Sequence, residues 1–263
     1  MIVPLPARSP ARGEVPVKAV VFDTFGTVCD FYHTFLLGFE RLCEGRGINS
    51  DPARLAIDWR TAYVISTATQ AFEQSAFRPL IDINRDNLVQ LLHQRADVSL
   101  SVDEMQSMLR LWREMAAWPD VVEGLSMMSE RAIIGPLSNG NFTDMAYLAR
   151  FARLPWDVIL GSSLSGFYKP HPDTYRKSVA VLGLLPAEVC MVAAHQADLA
   201  YAAGHGMQTA FVGRPDEFGG AVKPAEPDPG LSYLDAAEVH PEAEWTYVAK
   251  DFVDLAQQLR RDA

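Results

Sequence analysis

Short apolar runs punctuate this chain, and the segments between them carry helical spacing. Residues 17–22, 132–137, 156–160, 189–194 and 209–212 each have the length and composition of a strand in a parallel sheet covered on both faces. Tyr175, Val179 and Leu182 fall at i, i+4 and i+7, which predicts a helix, and Gly183 is its stop. Residues 199–203 read as a further helix with Asp198 near its start. Strand alternating with helix predicts an α/β fold, a doubly wound and mostly parallel Rossmannoid sheet. One interval breaks the alternation. Residues 34–118 hold no strand pattern but four amphipathic stretches, at 34–44, 53–72, 85–94 and 102–112. A helical block placed directly after the first strand predicts an inserted cap domain, with Trp118-Pro119-Asp120 marking the return to the core. The expected organisation is a disordered tail over residues 1–14, a discontinuous core of residues 15–33 and 119–263, and a cap of residues 34–118. A Pro- and Gly-rich stretch at 214–230 reads either as a surface loop or as a flap at the edge of a site.

Composition narrows the function classes. The chain has 263 residues, enough for one large core or a core with a smaller insertion. No run approaches the roughly 18 apolar residues of a membrane span, and the first 14 residues lack the apolar centre of a secretory signal, so a cytoplasmic location is expected and no membrane partner. Three cysteines, none in a C-x-x-C pair, disfavour a disulfide scaffold or zinc ribbon. A net charge of -10 disfavours a nucleic-acid partner. An anionic substrate would need local cations to capture it against that field.

In an open α/β sheet, ligands bind outside the carboxyl ends of the strands. Asp23 follows the first strand in the turn Asp23-Thr24-Phe25-Gly26-Thr27, either as a nucleophile or as a turn cap. Ser138-Asn139-Gly140 follows the second, either an anion-holding set of hydroxyl, amide and backbone N–H groups or an ordinary Asn-Gly turn. Lys169 precedes Pro170 and is therefore biased to extended backbone, where it either neutralises Asp23 or is solvated. His195 and Asp198 sit at the turn after the 189–194 run, where His195 is a base, a halide or water contact, or a cap. The sequence contains no G-x-S-x-G and no H-E-x-x-H.

The order D-x-F-G-T, S-N-G, K-P and a final acid resembles the haloacid dehalogenase superfamily, over nearly the whole chain from about Val17 to Leu259. Most members of that superfamily are magnesium-dependent phosphatases with a second Asp in the first motif and paired acids in the last. This chain has Phe25 and Ala194 at those positions, and neither can protonate a leaving group or offer the hard oxygen that Mg²⁺ needs. It is therefore more similar to the type II, L-specific 2-haloacid dehalogenase branch, which also carries a Trp-Arg pair on the first long cap helix, here Trp59-Arg60.

The resemblance implies a small anionic haloacid as substrate, with halide and a 2-hydroxyacid as products, no metal, no cofactor, and a homodimer. Asp23 is expected to attack the α-carbon and form an ester that water then opens. The resemblance gives Ser138 the substrate carboxylate, Arg60 and Asn139 the departing halide, and Lys169 the charge of Asp23. It gives Thr27 the orientation of Asp23, Tyr175 the carboxylate end of the pocket, and Asp198 the hydrolytic water. Phe25, Phe31 and Phe72 are candidate apolar walls or core residues. The last motif departs from the branch's usual S-S-N-x-x-D. Here it reads Ala193-Ala194-His195-Gln196-Ala197-Asp198, so His195 is expected in the site as a base near neutral pH or as a donor to the halide. The alternatives are a phosphatase or phosphonatase-like hydrolase of the same fold, and a catalytically silent binding member.

Overall fold

The structure, a computed structural model, describes residues 10–73, 76–221 and 236–262. In chain order, β1 (Ala19–Phe22) and β2 (Cys29–Asp30) lead into a helical block. The block comprises α1 (Phe31–Arg46), α2 (Pro52–Phe72), α3 (Leu80–Ala96), α4 (Val102–Arg110) and a 3-10 turn at Leu111–Arg113. After it come β3 (Ala116–Ala117), α5 (Val121–Ser129), β4 (Ile133–Ser138), α6 (Phe142–Ala152), β5 (Leu160–Gly161) and the short α7 (Ser162–Ser165). The chain then continues through α8 (Pro172–Val181), β6 (Val189–Ala193), α9 (Gln196–Gly204), β7 (Gln208–Val212), β8 (Tyr247–Ala249) and α10 (Phe252–Arg261).

Among the described residues six strands form one sheet in the order β5-β4-β1-β6-β7-β8, every neighbouring pair parallel. The apolar runs explain its burial. In β1, Val20 and Phe22 enter the larger core, while Ala19 and Val21 enter the core on the opposite face. A period of two inside a continuous apolar run puts side chains into both layers. The chain builds outward from β1 through β4 to β5, then returns to β6 on the other side of β1. That reversal opens a crevice at the carboxyl ends of β1 and β6, where ligands bind in such sheets.

The helical block is tied off at its base. β2 and β3 pair antiparallel, Cys29 opposite Ala117 and Asp30 opposite Ala116, so the two crossings between sheet and helices are held side by side. Asp30 caps α1, accepting from the His33 N–H at 3.0 Å, and α1 therefore starts earlier than the spacing predicts. α3 likewise begins directly after Pro79 rather than at Arg85. The block packs around aromatic rings: Trp59 lies 5.4 Å from Trp112 and 4.8 Å from Phe35, centroid to centroid.

Several expectations change. Of the 156–160 run only Leu160 joins the ladder. Asp157 ties that end to β4 instead, its N–H donating to Ile134 O at 2.9 Å and its Oδ2 accepting from the Ile134 N–H at 2.9 Å, while Trp156 packs its ring on Phe22. The expected disordered tail is an ordered turn over residues 10–14. Arg12 reaches Asp262 at 2.6 Å and the Ala11 N–H reaches Glu14 at 2.9 Å, and residues 1–9 lie outside the described residues. β8 and α10 are additional elements. Phe72, a candidate wall, is 63% exposed at the end of α2. Among the described residues no helix is long and apolar enough to cross a membrane.

Candidate active site

The turn after β1 presents Asp23 at the crevice. Its backbone is fixed by the Asp23 N–H donating to Val192 O at 3.0 Å, and the loop closes through Gly26, at φ 94°, donating to Cys29 O at 2.9 Å. Thr27 comes back over the carboxylate: its Oγ1 donates to Asp23 Oδ2 at 2.8 Å and accepts from the Ala194 N–H at 2.9 Å. Buried Arg214 holds the loop from behind, with Nε 2.9 Å from Thr27 O and Nη1 2.7 Å from Asp120 Oδ1.

Lys169 is brought in by the loop before α8. Its backbone N–H donates to Asn139 Oδ1 at 2.7 Å, and its Nζ lies 2.9 Å from Asp23 Oδ1 and also bonds Asp198 Oδ2. The Tyr175 hydroxyl donates to the other Asp198 oxygen at 2.6 Å. One buried ammonium thus bridges two carboxylates, and they respond differently. Burial raises Asp23, but the charge of Lys169 and the bond from His195 outweigh it and hold the carboxyl well below its ordinary range. Asp198 is raised, chiefly by burial, with Lys169 opposing and the Asp23 charge adding to the rise. Lys169 itself is raised: burial works against its charge, and Asp198 and Asp23 overcome it. Two acids pushed apart in this way suit a permanently ionised group beside a proton acceptor.

Arg60 projects from α2 with its guanidinium 4.8 Å from the Tyr63 ring centroid and 5.1 Å from that of Phe31. Its Nη2 reaches Phe25 O at 3.4 Å, while Nε and Nη1 have no partner among the described residues. These paired, buried donors fit an anion. Phe25 does not line the cavity; its ring stands edge-on to Trp112 at 5.2 Å and to Tyr63 at 5.7 Å, joining the loop of Asp23 to the helical block. Ser138 is fully buried beside Asn139, its Oγ accepting from the Gly140 N–H at 3.1 Å.

A cavity of ≈ 180 Å³ opens between these elements, its lining including Asp23, Arg60, Asn139, Lys169, Tyr175, His195 and Asp198 but not Thr27 or Ser138. Its apolar side comes from Val64, Ala68 and Phe218. Two acids were not anticipated from the sequence. Glu217 reaches His195, with Oε1 2.7 Å from Nε2, and Glu238 accepts from the Gln196 N–H at 2.7 Å. Glu217 and Phe218 belong to the 214–230 stretch, whose described part, 214–221, folds onto the site; residues 222–230 lie outside the described residues. His195 lies between Asp23 Oδ2, 2.9 Å from Nδ1, and Glu217. Burial lowers its pKa, but the charge of Glu217 and the bond to Asp23 raise it to about 10. Among the described residues no group of three or more His, Cys, Asp or Glu side chains is arranged to hold a metal ion.

Comparison with known proteins gives the family. Residues 17–206 match the family model for haloacid dehalogenase-like hydrolases. The (S)-2-haloacid dehalogenase of Xanthobacter autotrophicus is 28% identical over 204 residues, which cover 75% of this chain and 76% of the relative. The crystal structure of a defluorinating L-2-haloacid dehalogenase superposes with a TM-score of 0.83 at 36% identity, covering 97% of this chain and 99% of the other. That of a second L-2-haloacid dehalogenase gives 0.81 at 32% identity, over 93% and 99%.

Proposed function

The chain belongs to the haloacid dehalogenase-like hydrolase family, and from that premise we propose that it hydrolyses short-chain 2-haloalkanoic acids to 2-hydroxyacids through an ester at Asp23. The observation that carries the reading is the meeting of Asp23, Lys169 and Arg60 on one small cavity. A carboxylate kept ionised by Lys169 faces a wall where Arg60 offers two unpaired donors. That is the charge layout of a displacement in which negative charge leaves Asp23 and arrives on halide.

In this reading Asp23 attacks the α-carbon and the carbon–halogen bond breaks. Arg60 and Asn139 receive the halide. Ser138 and the neighbouring backbone N–H groups hold the substrate carboxylate, with Tyr175 at that end of the pocket. Thr27 orients Asp23. Asp198 takes a proton from the water that opens the ester, a role that fits its raised pKa. Displacement inverts the carbon, so an L-haloacid yields a D-hydroxyacid. The phosphatase alternative loses support at Phe25, whose ring occupies the helical core where a phosphatase presents its acid, and at Ala194. Action as a homodimer in the cytoplasm belongs to the same proposal and is carried by the family alone.

Single-turnover reaction with L-2-chloropropionate in ¹⁸O water tests the ester route. Label is expected in Asp23, with unlabelled 2-hydroxypropionate released in the first turnover. Label in the first-turnover product and none in Asp23 would mean direct attack by water.

A further inference from the structure

Glu217 enters the site through space that a side chain at position 26 would fill: a Cβ built on Gly26 lies 2.0 Å from Glu217 Oε1. The Glu217 side chain is 0% exposed, and its Oε2 has no partner among the described residues. Among the described residues its side chain bonds only the far nitrogen of His195, whose near nitrogen faces Asp23. Carboxylates accept hydrogen bonds and do not donate them. A ring held between two of them donates from both nitrogens. The upward pKa shift of the ring, driven by Glu217 and Asp23 against burial, has the same consequence in neutral water.

The two oxygens of Asp23 are then unequal. Oδ2 accepts from Thr27 Oγ1 at 2.8 Å and from His195 Nδ1 at 2.9 Å, which uses both in-plane lone pairs. Among the described residues Oδ1 accepts from Lys169 alone. Oδ1 is therefore the oxygen free to attack carbon, and Oδ2 becomes the carbonyl oxygen of the ester, still between Thr27 and His195. We propose that Thr27 and His195 are the oxyanion donors of ester hydrolysis, and that Glu217 is the positioning residue that keeps the His195 Nδ1–H aimed at Asp23 Oδ2. The proposal rests on the aspartyl-ester reading above. Water oxygen bonds to Cγ of Asp23, the carbonyl π pair moves onto Oδ2, and the water proton passes to Asp198. The Cγ–Oδ1 bond then breaks, the departing alkoxide takes the proton from Asp198, and the new Asp23 carboxyl releases its proton to solvent. His195 keeps both of its protons throughout, which separates this role from that of a general base.

The test compares wild type, Glu217→Gln and Glu217→Asp by rapid quench with L-2-chloropropionate. Chloride release and the covalent adduct, followed by intact mass, are read on the same samples. Removal of a whole oxyanion donor slows a step about 10²- to 10³-fold. Loss of alignment alone is expected to slow adduct decay in Glu217→Gln by roughly 10- to 100-fold. First-turnover chloride release is expected to stay within a few-fold of wild type, and Glu217→Asp to recover part of the loss. Adduct decay in wild type, followed against pH, is expected to fall on the alkaline side as the His195 proton is lost. A decay rate that rises with pH through the His195 titration makes the ring a base and overturns the proposal. So does Glu217→Gln decaying at the wild-type rate, or slowing chloride release as much as decay. If no adduct forms in any of the three proteins, the ester reading itself falls and takes the proposal with it.

Discussion

The clamp on His195 makes a quantitative prediction about stability against pH. The ring faces Asp23 from the β1 turn and Glu217 from the segment after β7, with the Lys169–Asp198 pair beyond Asp23. Its pKa rises from 6.5 to about 10, through Glu217 and Asp23 acting against burial. A rise of that size corresponds to about 5 kcal/mol at 1.36 kcal/mol per pH unit. About a quarter of the side chain meets solvent (24%), so the figure is an upper bound. Because the folded value lies above the unfolded one, the folded chain holds the extra proton. The stabilisation is complete below pH 6.5 and drains away as pH rises towards about 10. The neighbouring Lys169 is raised from 10.5, so its own contribution is lost only above that. Buried Cys29 and Cys190, both raised above 9.0 by burial, withdraw stability at the alkaline end in any variant that keeps them. The assay is urea unfolding of wild type and His195→Gln at a series of pH values from 6 to 10, with stability taken from midpoint and slope. Wild type is expected to exceed the variant most at pH 6, with the gap closing by about 1.4 kcal/mol per pH unit at its steepest. A gap that stays constant across the range would refute the argument, because a merely structural histidine gives the same difference at every pH.

Two further outcomes follow from the same site. Arg60→Lys keeps the charge but loses the planar fork that lies on Phe31 and Tyr63. It is expected to slow first-turnover chloride release by roughly 10- to 100-fold while leaving adduct decay unchanged, as read by the same quench experiment. Lys169→Met leaves Asp23 and Asp198 without the ammonium that bridges them. A loss of about 3–5 kcal/mol of stability at pH 7 is expected, partly recovered towards pH 5 as the pair takes up a proton, and calorimetry at the two pH values measures it.

The parts of the site that were legible in the sequence are those the sheet itself places. Asp23, Ser138, Asn139 and Asp198 stand just past apolar runs, and a parallel sheet delivers the ends of all its strands to one edge. Lys169 was legible as a cation that either neutralises Asp23 or is solvated; its second bond, to Asp198, depends on where the loop before α8 packs. Glu217 was illegible for a different reason. The 214–230 stretch reads either as surface loop or as a flap at the edge of a site, and nothing local records that Glu217 folds inward over Gly26. Phe25 was legible as an apolar residue in place of an acid, but its direction was not, because the rings it meets come from α2 and the turn at Leu111–Arg113. α10 carried its own signal in the 252, 255, 256 and 259 spacing. β8, three residues long, is a strand only because β7 offers an edge beside it.

The distribution of charge explains how a chain of net charge -10 can work on an anion. The buried acids of the site are matched locally: Glu217 against His195, and Asp23 and Asp198 against Lys169. Among the described residues Arg60 faces the cavity without an acid of its own. In the proposed first step negative charge moves from Asp23 to the halide, towards Arg60. Esterification also removes the anion that Lys169 and His195 were holding, so the donors around Oδ2 become relatively more positive at the moment an oxyanion must form there. A carboxylate held so far below its ordinary pKa is a poorer nucleophile than a free one, and the same donors that weaken it as a nucleophile stabilise the second transition state. On the proposal above, His195, standing where the resembling branch has Asn, shifts that balance towards ester hydrolysis together with Glu217.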